Sequence, residues 1–440
     1  MSRSVVVVGG GLIGLSTGLL LSGRGANVTV LDHDHLGGGA SRGNAGFLCT
    51  TLVEPLASPG ALRSALGSLR DPIRPLRIHV RALPGMLGWG LHFARASTWN
   101  RHVAGRQALA TLNSRHHEAI ERLRDLGASI EIGPSLVVAF KSRTVAEHHL
   151  SMLAPMAEFG ASLPDQMLDG DKLRSIVPAL SNAIRAGYLL ADDHSIDPRL
   201  MVDSMIEALR NRGVKTYEHA PVETVDITGS SVTAITAGGN RFEADDFVLA
   251  AGAGIRPLAR KFGLRIPVVP GQGYNVALAP SSRLTHPVIF EEAHAVATPF
   301  ADQIRLGGTM EFDGADPRFD RRRIEAIVES LGAFLDLDLE QYHSPWAGNR
   351  PMSPDGLPLL GRPHPFQNLL VAGGHGMFGL SLAPTTALAL SELILDGRTA
   401  TDLSDVHPDR FSLRPTARWT RQAATNPGVG HPGGRQSTKD

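Results

Sequence analysis

The 440-residue sequence contains a single cysteine, Cys49. One cysteine excludes an intramolecular disulfide and favours a reducing compartment, so we expect a cytoplasmic protein. The 43 basic residues balance the 43 acidic ones, and without a positive field or a basic tract we expect no nucleic-acid partner. No apolar run approaches the ~20 residues of a membrane span, and no signal peptide is recognisable. The apolar segment 83–93 is interpreted as a cover over a pocket, with peripheral contact at the inner face of the membrane as the alternative.

The first 32 residues have the pattern of a nucleotide-binding βαβ unit. Four consecutive valines predict a buried strand, and the sequence GGGLIG follows them directly. In this fingerprint the first glycine makes the turn, the second lets main chain approach a pyrophosphate, and the third lets the helix pack on the sheet. The helix start offers free N–H groups to the pyrophosphate, and an acid after the next strand binds ribose. The expected contacts are Gly9, Gly11, Leu12, Ile13, Gly14 and Asp32.

Two further strands run into small-residue turns, at 247–254 and 369–379. A nicotinamide enzyme needs one such turn, whereas FAD, which stretches through a whole domain, needs several points of close main-chain approach. The three turns therefore favour FAD and a discontinuous cofactor domain interrupted by insertions. We expect an FAD-binding domain at 1–55, 170–262 and 345–411, a substrate domain at 56–169 and 263–344, and a disordered tail at 412–440.

Several longer motifs are more specific than the glycine fingerprint. They are Ser41 with Asn44-Ala45-Gly46, WAGNRPMSPDGLPLLG at 346–361 and GGHGMFGLSLAP at 373–384. Together they resemble the FAD-dependent D-amino-acid dehydrogenases, within the broader family of D-amino-acid oxidase, glycine oxidase and sarcosine oxidase. The resemblance spans both ends and the middle of the chain. It implies an α/β plus α+β fold, in which a glutathione-reductase-like Rossmann domain binds FAD and an inserted antiparallel sheet roofs the flavin.

The resemblance also implies which residues bind FAD, without a covalent bond. Cys49 follows the flavin-side loop, but a buried free thiol is the better interpretation of it. The amino end of the last helix is expected to point toward the flavin and to stabilise negative charge there. The implied contacts are Ser41, Arg42, Asn44, Ala45 and Gly46 in the flavin-side loop, Val222 near the adenine, Ala251 and Gly252 in the second turn, and Gly374, His375, Gly376 and Met377 before the last helix.

The resemblance places a substrate-binding group at Arg350, whose guanidinium offers two parallel donors to a carboxylate. The alternative for Arg350 is a structural ion pair. Tyr274 is the best second contact, although ordinary packing with a satisfied hydroxyl is also open. His375 invites a catalytic base role, but its glycine-rich turn favours main-chain geometry or a flavin hydrogen bond instead. We expect no metal site, because the adjacent histidine pairs lack metal-binding partners.

The expected reaction transfers hydride from the Cα of a D-amino acid to flavin N5, and the imino acid product hydrolyses to a 2-oxo acid and ammonia. The electrons pass to a quinone, another carrier or oxygen. Glycine, or a secondary amine such as cis-4-hydroxy-D-proline or an N-methyl amino acid, is an alternative substrate, and a flavin-binding electron-relay subunit is an alternative function. Phe47 and Leu48 stand where many relatives have a polar residue, which favours an apolar or cyclic substrate over a basic one.

Overall fold

The computed structural model describes residues 2–61, 67, 75–164, 166–314 and 318–412. The tail expected to be disordered lies outside these ranges beyond residue 412. The α-helices with defined ends are α1 (Leu12–Gly23), α2 (Leu83–Ala96), α3 (Trp99–Asn113), α4 (His116–Asp125), α5 (Arg143–Leu153), α6 (Gly170–Ile176), α7 (Pro198–Asn211), α8 (Ile255–Lys261), α9 (Arg321–Leu331) and α10 (Gly379–Leu395).

The strands of the same ranges form three sheets. They are β1 (Ser4–Val8), β2 (Asn27–Leu31), β3 (Phe47–Leu48), β4 (Leu76–Ile78), β5 (Ser135–Phe140), β6 (Leu168–Asp169), β7 (Ala186–Ser195), β8 (Lys215–Tyr217), β9 (Val222–Thr228), β10 (Ser231–Ala237), β11 (Asn240–Glu243), β12 (Asp246–Leu249), β13 (Val269–Leu278), β14 (Val288–Phe290), β15 (Ala295–Pro299), β16 (Ile304–Phe312), β17 (His343–Met352), β18 (Leu359–Gly361) and β19 (Leu369–Gly373).

The first sheet has, within the described residues, six strands in the order β18-β19-β12-β1-β2-β8. All neighbours are parallel except β18, which is antiparallel to β19. The valines of β1 show why this sheet is covered on both faces, as parallel sheets are. Val5 and Val7 belong to the apolar core that includes α1 and α10. Val6 and Val8 belong to the core formed with α8 and the antiparallel sheet β11-β10-β9.

The larger sheet has the described strand order β17-β13-β16-β15-β14-β5-β7-β3, with β4 beside β16 and β6 beside β7. Apolar residues of α6 and α9 bury one of its faces. Most neighbours are antiparallel, and β5–β14 and β4–β16 are parallel. Strands β3 and β7 pair here although the expected boundaries place their residues in the FAD-binding domain. Those boundaries stay a prediction.

Helix α2 lies beside the end of β17, where the Trp89 indole donates a 3.0 Å hydrogen bond to the Met352 carbonyl. Its inner residues pack on Met310, Phe312 and Met352, whereas Leu87 on its outer face is 72% exposed. Across the described ranges, none of the helices combines the length and the apolarity needed to cross a membrane.

Candidate active site

A cavity of about 1320 Å³ lies between the two large sheets. The nucleotide turn after β1, the loop 38–47 and the turn 250–254 form one part of its lining, and residues of β13, β16 and β17 form the other. Its volume exceeds the ~300–1,000 Å³ of most small-ligand pockets. A cavity of this size, shared by a nucleotide turn and a second sheet, fits an extended dinucleotide together with a small substrate.

The nucleotide turn has the geometry that its glycines predict. Gly9 has φ +118°, and a Cβ on it would lie 2.3 Å from the Ala250 carbonyl oxygen. A Cβ on Gly14 would lie 1.8 Å from the Gly9 oxygen, so a glycine at this position lets α1 pack closely against the turn. Gly9, Gly11, Leu12 and Ile13 line the cavity, and Gly14 does not.

Two polar side chains are attached to this turn. The Gly10 N–H donates to Asp32 Oδ2 at 2.6 Å, and the Leu12 N–H donates to Ser41 Oγ at 3.1 Å. Asp32 and Ser41 both line the cavity. The acid predicted to bind ribose and the serine predicted to lie near the flavin therefore both lie at the start of α1.

The other predicted cofactor residues divide into lining and supporting positions. Arg42 does not line the cavity, because its guanidinium turns outward and bonds Asp203 at 2.6 Å. Gly46 and Gly374 have φ +86° and +73° and support turns next to the lining. The predicted residues that do line it in these regions are Asn44, Ala45, Val222, Ala251, Gly252, His375, Gly376 and Met377.

His375 is 2% exposed, and its Nε2 lies 3.1 Å from the Thr386 hydroxyl. Burial lowers the pKa of His375 to about 3, so the imidazole is neutral at working pH. A group with that pKa is poorly matched to general-base work near neutrality. The structure therefore favours the interpretation in which His375 shapes the turn before α10.

The Arg350 side chain lies against glycine main chain of β13. Arg350 pairs with Gly271 of β13, and a Cβ added to neighbouring Gly273 would lie 2.3 Å from the guanidinium carbon. Its Nη1 donates to the Thr309 carbonyl at 3.2 Å. Thr309 itself has φ +53°, a strained value for a β-branched residue.

The Arg350 guanidinium has no carboxylate within 4.0 Å among the described residues, so the alternative of a structural ion pair is not what the structure contains. Burial lowers the pKa of Arg350 to about 10, which leaves it charged at neutral pH. An uncompensated cation that lines a cavity is suited to an anionic group of a ligand.

Tyr274 faces away from Arg350. Its hydroxyl donates to the Glu311 carboxylate, and its side chain is 1% exposed. Strand alternation explains this placement, because Gly273 lies under the guanidinium and the next residue points to the opposite face. Burial and the neighbouring carboxylate raise the pKa of Tyr274. The structure therefore favours the alternative of packing with a satisfied hydroxyl. Tyr274 also contributes to the cavity lining, and its contact with a substrate carboxylate stays a prediction.

Sequence reasoning missed the side chains that hold the flavin-side loop. Arg305, Asn275 and Thr298 donate hydrogen bonds from the larger sheet to main-chain carbonyls of residues 42–45. Trp346 packs on the same loop, since a Cβ on Gly43 would lie 2.2 Å from its ring. Nothing in the local sequence marks the first three residues, because they occupy ordinary strand positions far from the loop.

Two residue sets lie apart from this cavity. Cys49 is a buried free thiol that does not line it, and burial raises its pKa well above the usual range. Among the described residues, Asp34, His35 and His219 have possible metal ligand atoms within 4.8 Å of one another. All three side chains are exposed and none of them lines the cavity.

Comparison with known proteins agrees with this geometry. Residues 4–393 match the family model described as FAD dependent oxidoreductase, DAO. The chain belongs to this family. FAD is therefore its cofactor, and it is an FAD-dependent oxidoreductase.

Three relatives show how far the similarity extends. The chain is 28% identical over 407 residues to a D-amino acid dehydrogenase of Vibrio vulnificus (strain CMCP6), covering 88% of this chain and 95% of the relative. Glycine oxidase from Geobacillus kaustophilus superposes with a TM-score of 0.70 at 22% identity, covering 93% of this chain and 99% of that structure. L-proline dehydrogenase from P. horikoshii also gives 0.70, at 18% identity over 93% and 98% of the two chains. The two structures support the predicted FAD-binding fold with its additional sheet.

Proposed function

We propose that the protein oxidises a neutral D-amino acid to its imino acid, which water converts to a 2-oxo acid and ammonia. The Arg350 guanidinium lies in the cofactor cavity without a carboxylate partner among the described residues, and this observation carries the proposal. A substrate carboxylate placed there receives charge-assisted hydrogen bonds in a partly desolvated site. The D-amino acid dehydrogenase relative supports this substrate class over other amines.

The lining favours a substrate with an uncharged side chain. Asp32 is the only carboxylate among the described lining residues, and it is bonded at the nucleotide turn rather than near Arg350. A lysine-like or arginine-like side chain would therefore lose water without gaining an ionic partner. Phe47, Trp346 and Met310 add apolar surface to the same cavity.

The residues around Arg350 bind and orient the substrate without a general base. His375 is held neutral by burial, and Tyr274 is engaged with Glu311. The amine loses its proton to solvent before oxidation, and Arg350 fixes the carboxylate so that one Cα–H is aimed at the cofactor. Bound FAD supplies the hydride acceptor, and the protein contributes orientation and electrostatics.

Anaerobic bleaching of the flavin absorbance tests the proposal. Neutral D-amino acids should bleach the purified holoenzyme, L-enantiomers and D-arginine should bleach it slowly, and D-amino acid methyl esters, which lack the carboxylate, should fail. Bleaching by esters at the rate of the free acids would refute the role of Arg350. FAD retention without bleaching by any amine would indicate the electron-relay alternative.

A cyclic secondary amine is the second candidate, favoured by the apolar lining at Phe47 and Trp346. The same panel includes cis-4-hydroxy-D-proline and N-methyl amino acids. Faster bleaching by these compounds than by the primary amines would indicate that secondary amines, and not primary D-amino acids, are the substrate class. A parallel assay with a redox dye and a peroxide probe separates dehydrogenase from oxidase activity.

The outer face of α2 supports peripheral membrane contact. Leu83, Leu87 and Leu91 recur every four residues on one exposed helix face. Residues 80–96 include Arg81 and Arg95 but no acid, a composition that suits an anionic bilayer. Contact here would bring a membrane quinone close to the flavin. Cosedimentation with anionic vesicles should be lost in Leu87→Glu and retained in the control Leu200→Glu, an exposed leucine on α7.

A further inference from the structure

The flavin-side loop is anchored through consecutive carbonyls. The oxygens of Arg42 and Asn44 both accept from Arg305 Nη1, the first at 3.0 Å. The Gly43 oxygen accepts from Asn275 Nδ2 at 2.8 Å, and the Ala45 oxygen accepts from Thr298 Oγ1 at 2.7 Å. Four successive peptide groups therefore present their oxygens to the larger sheet.

Strand register explains how three side chains reach one loop. Arg305 of β16 pairs directly with Thr298 of β15, and Asn275 of β13 pairs with Gly307, two residues further along β16. Residues directly opposite, or two apart on one strand, share a face of a sheet. The three donors thus form one patch on the cavity-side face, although no sequence motif joins them.

The N–H groups of these peptides point the other way, because N–H and C=O are opposed across a planar trans peptide. The Asn44 N–H bonds the Ser41 oxygen at 3.3 Å, and the Gly46 N–H bonds Asn44 Oδ1 at 2.8 Å. Among the described residues, the Gly43 and Ala45 N–H groups have no acceptor, and both residues line the cavity. These two N–H groups belong to the two peptides that Arg305 holds.

The surroundings of Arg305 suit this role. Its side chain is 6% exposed, it has no carboxylate within 4.0 Å among the described residues, and its guanidinium carbon lies 5.0 Å from the centroid of the Phe300 ring. A buried cation bonded to a carbonyl polarises the peptide and strengthens its N–H as a donor. Arg305 thus both fixes and polarises the two free donors.

We propose that Arg305 is a positioning residue that acts through peptides 42–43 and 44–45, presenting two strengthened N–H donors to the polar edge of the flavin. These donors favour the electron-rich reduced form. The inference rests on FAD as the cofactor but not on the identity of the amine. It goes beyond the proposed substrate chemistry, because it assigns the affinity and the reduction potential of the flavin to a residue of the second sheet.

Flavin binding and potential, measured on protein reconstituted with FAD, test the proposal without any substrate. Arg305→Gln should raise the FAD dissociation constant about tenfold or more and lower the two-electron midpoint potential measured by dye equilibration. Thr298→Val removes one hydrogen bond to the same loop, at the Ala45 carbonyl. The N–H of that peptide belongs to Gly46 and already donates to Asn44 Oδ1. This variant should change the dissociation constant less than about threefold and leave the potential unchanged.

Controls separate positioning from stability. Arg199→Gln removes a neighbouring guanidinium that lies 5.7 Å from the Phe300 ring and bonds Asp197 and Asp302 instead of the loop, and it should leave both flavin readouts unchanged. Arg305→Lys keeps the charge and should give an intermediate potential, which also covers the case that Arg305→Gln fails to fold. Potentials of the Gln and Lys variants that match wild type, or equal that of Thr298→Val, overturn the proposal. Since no amine is present, this result is independent of the bleaching panel.

Discussion

Replacement of Arg350 by leucine separates substrate binding from fold stability. Burial lowers the pKa of Arg350 from 12.5 to about 10, which corresponds to about 3 kcal/mol of unfavourable desolvation in the folded apoprotein. The residue donates one hydrogen bond, to the Thr309 carbonyl, and the described residues supply no counter-ion. Arg350→Leu should therefore leave the apoprotein as stable as wild type or more stable.

The same change should be severe for catalysis. Loss of one partner of a desolvated charge pair costs about 2–5 kcal/mol, so kcat/KM for a free amino acid should fall about 30-fold to several thousandfold. The steady-state rate with a dye acceptor measures this loss. Thermal unfolding of the apoprotein and the flavin absorbance spectrum check that fold and cofactor binding survive.

Arg410 provides the matched control, because it makes a structural ion pair of the kind that Arg350 does not make with any described residue. Its Nε and Nη2 bond the two Asp355 oxygens at 2.8 and 3.0 Å. Arg410→Leu should destabilise the protein by about 1–3 kcal/mol with little change in KM. If Arg350→Leu instead behaves like Arg410→Leu, or keeps the wild-type kcat/KM, the reasoning about Arg350 is refuted.

Three other predictions concern single residues of the site and of the buried core. Gly273→Ala places a methyl group 2.3 Å from the Arg350 guanidinium carbon, so KM should rise about tenfold with FAD still bound. Gly88→Ala is the control, because a Cβ there meets nothing within 4 Å. Equal KM values for the two variants would contradict the prediction. Tyr274→Phe should change KM less than about threefold but destabilise the protein by about 1–3 kcal/mol, because Glu311 loses a buried donor; the reverse pattern in KM and melting temperature would restore the carboxylate contact. Burial lowers the pKa values of His375 and His116 to about 3 and about 4, so the unfolded state, with a pKa near ~6.5, binds protons first as pH falls. The contribution of the two neutral imidazoles to the free energy of unfolding should then be fully present above pH ~6.5 and decline by about 1.4 kcal/mol per imidazole per pH unit toward the folded pKa. His116→Gln should make this decline less steep in urea unfolding. An equal slope in the variant would exclude His116 as a source of the decline.

The cofactor turns could be predicted from the sequence because each is a local requirement of the main chain. Gly9 and Gly14 are needed where a Cβ would strike main chain within the same short motif or the adjoining strand. The position of Arg350 also followed from a motif, and the structure adds that it is unpaired among the described residues. The roles of these residues in binding FAD and substrate stay predictions.

The parts of the fold and of the candidate site that the sequence did not predict depend on contacts between distant segments. The side of β13 on which Tyr274 lies follows from strand register, which the separate segments do not reveal. The run Arg321–Arg323 predicts a solvated helix start, yet Arg323 is 2% exposed and donates to the Pro75 carbonyl at 2.8 Å. The leucine spacing predicts one helix over 104–126, but the chain breaks between α3 and α4, where Arg115 bonds Glu118 and Glu392.

The way the first sheet is assembled has a consequence for protein synthesis. Strand β1 lies between β2 and β12, and β12 is completed by β19, whose last residue is Gly373. While the ribosome is still making the middle of the chain, the apolar nucleotide-binding segment has no finished sheet in which to bury its strand, and long-range pairings of this kind form late. We therefore expect FAD capture only after β19 has been made, and nascent chains halted before residue 369 should be retained by chaperones rather than released as flavoprotein fragments.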